Sequence, residues 1–178
     1  MTHELVRYAV GDHRLGLMLI AASPRGLCAV LIGDTLAPLL ADLQRRFPKA
    51  DLQPDGPGLL PVLAGLNAWF ERPGEVELPW ALDARGTPFQ QQVWQALLTI
   101  PVGETRSYAA LAEAMGMPTA SRALAQACGA NPLAVIIPCH RVVRRDGGLS
   151  GYRWGVARKA ALLQREAEAR QDGLLRAA

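Results

Sequence analysis

The residues Asp83-Ala84-Arg85-Gly86-Thr87-Pro88 divide the chain into two textures. Upstream, apolar residues fall in short runs separated by turn formers; downstream, they recur at helical spacing. Thr87 followed by Pro88 is a helix start: a capping residue, then a proline whose missing N–H costs nothing at the first helical position. Val93, Trp94, Leu97 and Leu98 supply the apolar stripe of that helix, and Pro101 and Gly103 end it. A domain boundary is expected here, giving residues 1–86 and 87–178.

Working upstream, Leu5-Val6-Arg7-Tyr8-Ala9-Val10 and Leu15-Gly16-Leu17-Met18-Leu19-Ile20 flank the turn-like Gly11-Asp12-His13-Arg14. A third run, 27–32, follows the breaker Ser23-Pro24-Arg25-Gly26, so a β-meander is expected, forming a small antiparallel sheet. Asp34 is expected to cap a helix through Phe47, with Leu36, Leu39, Leu40 and Leu43 on one stripe. A second helix over 59–71 and a short strand Val76-Glu77-Leu78 complete an α/β domain.

Downstream, Ser107 can cap a helix over 108–115, followed by the turn Gly116-Met117-Pro118 and a helix over 119–128. Two short helices joined by a turn containing Gly match a helix-turn-helix in a mostly α domain. Asn131-Pro132 forces an extended or turn conformation, Val135-Ile136-Ile137 is a buried run, and 144–150 is a polar Gly-rich loop. An amphipathic helix is expected over 156–170.

Half of the 178 residues are apolar and a fifth are charged, the balance of a folded globular protein. No apolar run approaches the roughly 18 to 20 residues that cross a bilayer, and Met1-Thr2-His3-Glu4 does not open a basic-then-apolar leader. A cytoplasmic protein with no membrane partner is therefore expected. Three widely spaced cysteines, Cys28, Cys128 and Cys139, exclude a disulfide framework. No Cys/His spacing fits zinc and no Gly-rich phosphate loop is present, so neither a metal nor a cofactor is expected. Residues 1–86 carry eight Lys/Arg against ten Asp/Glu, whereas 87–178 carry eleven against six. An anionic partner belongs on the second half.

Reactive groups concentrate at Pro138-Cys139-His140-Arg141. A thiol attacks only as thiolate, and neighbouring cationic or imidazole groups favour that form. Taken alone, the Cys-His pair fits a buried core cysteine better than a nucleophile. Adjacent side chains of an extended chain point apart, so Cys139 and His140 would need a bridging water or a tight turn to communicate. A carboxylate orienting the imidazole would complete a nucleophile-base-orienter relay. Glu166 lies near the inward stripe of the last helix, while Glu168 reads as solvated. The helix around Ala120-Ser121-Arg122-Ala123-Leu124-Ala125 is nearly all small residues. It either lets a backbone approach a nucleic-acid groove or allows tight helix packing.

Longer motifs identify the chain as resembling the O6-alkylguanine-DNA alkyltransferase family. They are Phe89-Gln90-Gln91-Gln92-Val93-Trp94, Asn131-Pro132, Ile137-Pro138-Cys139-His140-Arg141-Val142-Val143, and Tyr152-Arg153-Trp154-Gly155-Val156-Ala157-Arg158-Lys159. Within that family the likeness is to the C-terminal domain of the bacterial Ada-type members, dense over residues 87–168. The resemblance implies a ribonuclease H-like α/β first domain and a helical second domain. It implies direct-reversal DNA repair: one irreversible transfer of a methyl or larger alkyl group from guanine O6, and in some cases thymine O4, to Cys139. His140, Asn131 and Glu166 would support Cys139 through a water. Double-stranded DNA would be held through its minor groove by the helix-turn-helix of a monomer. Arg122 would enter the base stack, Tyr108 would rotate the nucleotide and protonate the departing base, and Gln90, Ala109 and Arg145 would contact DNA. Tyr152 and Arg153 would border the base pocket, and Trp154, a glycine in some relatives, would narrow it.

Weighed against this are a damage binder without a reactive cysteine, a helix-turn-helix regulator, and a thiol hydrolase. Cys139 counts against the first. The lack of base-reading side chains on the small-residue helix counts against the second, and turnover would mark the third. The chain is either a separate protein or the C-terminal part of a longer one.

Overall fold

The computed structural model describes residues 3–177; Met1, Thr2 and Ala178, the first two part of the N-terminal reading above, lie outside it. By packing, the chain divides into two compact units. The first holds the chain up to Glu71 with Val76–Arg85 and Pro132–Ala134; the second holds Arg72–Glu75, Gly86–Asn131 and the chain from Val135 on. Two short segments therefore cross the sequence-drawn boundary at 86. Local texture cannot show which unit a few residues join after a turn.

In the first unit, β1 (Leu5–His13), β2 (Gly16–Ser23) and β3 (Gly26–Gly33) form an antiparallel meander. The sheet is mixed rather than antiparallel, because β4 (Asp51–Pro54) adds parallel to β1, giving the order β3-β2-β1-β4. β4 is four mostly exposed residues with no apolar alternation, so the sequence carries no sign of it. Helix α1 (Leu36–Arg46) packs on β3, and α2 (Gly56–Glu71) packs on β1 and β2.

Residues Leu27 to Ile32 are buried without a break, which requires cover on both faces of β3. Its outer edge is also covered. Leu27 N donates to Ala81 O and Asp83 N to Leu27 O, while Val30 N donates to Pro132 O and Ala134 N to Val30 O, all at 2.7–3.0 Å. A sheet edge with its backbone groups satisfied cannot recruit another strand. Two local expectations are corrected. The residue capping α1 is Thr35, without a side-chain bond, not Asp34. Val76-Glu77-Leu78 is not a strand; Val76 lies in a bend, and the chain beyond pairs only through an isolated bridge between Leu82 and Leu27.

The second unit starts as expected at α3 (Pro88–Leu97). Thr87 Oγ1 accepts from Gln90 N at 3.2 Å and Gln90 Oε1 accepts from Thr87 N at 3.0 Å, satisfying two orphan donors reciprocally. Val93, Trp94 and Leu97 are buried, whereas Leu98, expected on the same stripe, is 42% exposed. Trp94 Nε1 donates to Ala127 O at 3.0 Å, tying α3 to α5 (Ser121–Gly129).

Helix α4 (Tyr108–Ala114), capped by Ser107, packs against α5. Residues 115–120 join them, a longer link than three residues, since α4 ends at Ala114 and α5 starts only at Ser121. Gly116 turns the chain with φ +72°, a left-handed conformation that residues with a Cβ avoid. A two-residue parallel pairing joins β5 (Arg106–Ser107) to β6 (Val142–Val143), and α6 (Val156–Ala177) closes the unit.

Open space surrounds the position of a Cβ on Gly116, so Gly116→Ala meets only the conformational penalty. It is expected to lower unfolding free energy by about 1–2 kcal/mol, read as a shifted urea midpoint with unchanged slope. An unchanged midpoint would show that the turn relaxes.

Candidate active site

Between Asn131 and Cys139 the backbone is held in an unusual shape. Val135, a buried β-branched residue, has φ +70°, a conformation costing about 1–3 kcal/mol that persists only where surroundings impose it. Asn131 is fully buried and its Nδ2 donates to Ile137 O at 2.8 Å and to Cys139 Sγ at 3.2 Å. One amide thus fixes both the approach to the cysteine and the sulfur itself.

Cys139 opens a single 3₁₀ turn, Cys139–Arg141, whose tight winding sends consecutive side chains in different directions. Cys139 lines a cavity of about 310 Å³, shared with Tyr108, Ala125, Cys128, Tyr152 and Arg153 among others. That is the lower end of the volume range typical of ligand pockets.

His140 and Arg141 face Glu166 on α6. His140 Nε2 lies 2.7 Å from Glu166 Oε1. The Arg141 guanidinium donates through Nε and Nη2 to the same carboxylate at 2.8–3.1 Å, and through Nη1 to Ile100 O at 2.6 Å. Glu166 and His140 are fully buried and Arg141 nearly so.

The electrostatics follow. Burial works to raise the Glu166 carboxyl, but the hydrogen bonds and charges of His140 and Arg141 outweigh it and hold the group down to about 2. Burial lowers His140 although Glu166 opposes it. The pair is therefore a carboxylate beside a neutral imidazole. A carboxylate only accepts, so Nε2 carries the imidazole proton and Nδ1 is left as a buried lone pair, which has no partner among the described residues. That is the form of a general base.

Burial pushes the Cys139 thiol up to about 11, against the Asn131 hydrogen bond and the charges of Lys159 and Arg153. The resting sulfur is a thiol, and its proton must leave when it reacts. Lys159 is fully buried and donates to Val142 O at 2.6 Å and Ser150 Oγ at 3.0 Å, and Ser150 in turn bonds the Tyr108 hydroxyl.

Of the residues expected at a site, the structure gathers Cys139, Tyr108, Tyr152 and Arg153 around the cavity, with Asn131 on the sulfur and His140 and Glu166 joined by a hydrogen bond. Gln90, Ala109, Arg122 and Arg145 are not among its lining residues. Gln90 serves the cap of α3; Arg122 lies exposed in the first turn of α5, and Arg145 is exposed in the loop after β6. Trp154, expected to narrow the pocket, is only 6% exposed and packs edge-on against the Tyr152 ring at 5.3 Å instead of lining the cavity. Sequence reasoning did not anticipate Arg141, Lys159 or Ser150 as parts of this network. Arg141 and Lys159 stand in quoted motifs without a sign of what they bond, and Ser150 ends a polar loop like any other serine. Among the described residues no group of three His, Cys, Asp or Glu could hold a metal ion, and no helix is long and apolar enough to cross a membrane.

A family model described as "6-O-methylguanine DNA methyltransferase, DNA binding domain" matches residues 88–168, which contain the cavity and every member of the network. A structure titled as the Mycobacterium tuberculosis OGT in complex with DNA is 40% identical, with TM-score 0.77, covering 92% of this chain and 94% of that one. A methylated-DNA–protein-cysteine methyltransferase of Mycobacterium leprae is 49% identical over 114 residues, 64% of this chain and 68% of its own length. The chain belongs to the O6-alkylguanine-DNA alkyltransferase family. Its likeness to Ada-type alkyltransferases is extensive: the Escherichia coli bifunctional transcriptional activator/DNA repair enzyme Ada is 59% identical over 167 residues. Those residues are 92% of this chain and 46% of that protein, so the chain spans about half the length of the Ada relative.

Sign matters for the acid stability of this chain. The folded Glu166 pKa of about 2 lies below its ordinary 4.5, so its stabilisation is complete above about pH 4.5 and drains away as pH falls toward 2. His140, also lowered, acts in the same direction from its ordinary 6.5 downward. Glu166→Gln leaves the Arg141 charge buried without its counter-charge and should cost about 3–5 kcal/mol at pH 7. It should also flatten the loss between pH 4.5 and 2, both read by urea titration. An undiminished acid slope would place that dependence elsewhere.

Proposed function

We propose that the chain is a single-use DNA-repair protein that moves a methyl or larger alkyl group from guanine O6, and from thymine O4, in double-stranded DNA onto Cys139. The observation carrying this reading is a buried thiol that lines a cavity and is followed in the same turn by an imidazole held as a base by an ion-paired carboxylate. The M. tuberculosis relative bound to DNA and the methyltransferase names of the others support it.

An O6-alkyl group inside a stacked pair is beyond reach of a buried sulfur, so the nucleotide must be flipped into the cavity. The Cys139 proton passes through a water to His140 Nδ1, and the imidazolium formed is stabilised by the Glu166 carboxylate. The sulfur then bonds the alkyl carbon as the carbon–oxygen bond breaks, and its electron pair leaves with the base. Tyr108 supplies the proton that neutralises the base; burial raises its phenol, so the proton is present at neutral pH. The product is a thioether, which nothing in the site reverses.

For DNA binding we read α4 and α5 as a helix-turn-helix entering the minor groove. Ala125 and Gly129 of α5 already line the cavity, which accounts for the small residues of that helix. Arg122 on its exposed face fills the stack left by the flipped base, and Gln90, Ala109 and Arg145 contact the strands. The antiparallel meander followed by a parallel strand is the reason for reading the first unit as ribonuclease H-like. The reading also takes the protein as a cytoplasmic monomer with residues 87–178 as its DNA-binding half, needing neither metal nor cofactor.

Incubation with duplex DNA containing O6-methylguanine should add one methyl mass to the Cys139 peptide, saturating at one per protein, and none in Cys139→Ser. Turnover, or modification at Cys28 or Cys128 instead, would overturn the reading. Arg122→Ala should slow repair of duplex far more than reaction with free O6-alkylguanine base, and equal losses would remove Arg122 from DNA handling. Affinity for DNA should fall as salt rises, because phosphate contacts release counterions.

A further inference from the structure

Two buried polar atoms of the second unit hold no hydrogen-bond partner among the described residues: His140 Nδ1 and the Tyr152 hydroxyl. Such atoms are rare, because leaving one unsatisfied costs about 1–3 kcal/mol. Both belong to neighbours of the reactive sulfur: His140 follows it in the 3₁₀ turn, and Tyr152 lines the cavity with it.

Their chemistry is complementary. Nδ1 can only accept in the tautomer that Glu166 imposes, while the phenol keeps its proton and can donate. Burial first, and then the charges of Cys139 and Glu166, push the phenol well above its ordinary value, which also places it within electrostatic reach of both ends of the relay. The ring is held in place. Trp154 packs edge-on against it, with ring planes at 71°, and the Arg153 guanidinium lies 5.6 Å from the Trp154 ring centre.

Resting on the alkyl-transfer reading above, we propose that Tyr152 is a positioning residue whose hydroxyl donates to the water that carries the proton from Cys139 Sγ to His140 Nδ1. A buried water makes about three hydrogen bonds, and these three groups supply them: Sγ–H and the Tyr152 hydroxyl donate to its oxygen, and it donates to Nδ1. The sulfur's proton moves to the water as one water proton moves to Nδ1, and Tyr152 neither gains nor loses a proton. A water fixed by only two groups would wander between geometries; a third partner holds it on the line of transfer. This also gives the bulk of Trp154 a purpose, since it sets the direction of the Tyr152 hydroxyl.

Other ionisable groups face the same sulfur and phenol. Lys159 and Arg153 favour the Cys139 thiolate, Arg158 acts on Tyr152, and Cys128 and Tyr108, both raised by burial, stay neutral at pH 7. None is altered by Tyr152→Phe, which keeps the ring and its packing on Trp154. Two readouts on the full chain test the proposal. The first is the pH dependence of Cys139 modification by methyl methanethiosulfonate, followed by peptide mass. The second is single-turnover methyl transfer from O6-methylguanine duplex.

Tyr152→Phe should react roughly tenfold more slowly in both at neutral pH, about the worth of one hydrogen bond. Its thiol profile should be displaced to higher pH, with the melting temperature unchanged. A thiol profile superimposable on that of the unaltered protein overturns the proposal, even if transfer from DNA slows, because Tyr152 then acts on the substrate alone. If the unaltered protein transfers no methyl group, the function reading fails, while a displaced thiol profile still upholds the role of Tyr152.

Discussion

The bond set around one carboxylate governs the second unit. Glu166 receives His140 from one side and the Arg141 guanidinium from the other, and Arg141 also reaches Ile100. These contacts tie the last helix to the 3₁₀ turn and to the segment after α3. A buried carboxylate alone would take up a proton rather than stay charged. The His140 hydrogen bond and the Arg141 guanidinium together keep it ionised, ionisation fixes the tautomer of His140, and that tautomer leaves Nδ1 free to act as a base. Fold and chemistry share the same ion pair, so the reactive turn cannot move without breaking it.

Burial has a second consequence at Cys139. A thiolate held permanently in this cavity would lack the water that normally stabilises it, and the thiol is correspondingly raised to about 11. Reactivity is therefore conditional on a base that takes the thiol proton. The strained backbone at Val135 and the Asn131 amide hold the sulfur in place meanwhile.

Much of this was legible from residues. The helix start at Thr87-Pro88, the meander and the reactive tetrapeptide all rest on local rules, whether capping, periodicity or turn chemistry. Glu166 stood out from Glu168 because it sits on the inward stripe of its helix. The errors have equally local causes. Strand β4 is too short and polar to show a period, and its place is set by pairing with β1 across more than 40 positions. Asp34 is a good capping type, yet the helix starts one residue later than that signal implied, with Thr35 at its cap. Trp154 is near the pocket in sequence, but its ring turns onto Tyr152 instead.

The amino-acid sequence by itself determined the helix starts at Thr87-Pro88 and Ser107, which half carries the positive charge, and which thiol stands next to an imidazole. Those properties depend on residues within a few positions of each other. The tertiary structure alone decided that Arg141 charges Glu166, that Lys159 and Ser150 stand behind Tyr108, and that Trp154 braces a tyrosine. The hydrogen bonds among these join side chains 9 to 42 residues apart whose partners are chosen by burial, where an unpaired charge or hydroxyl is costly. No local pattern encodes that choice.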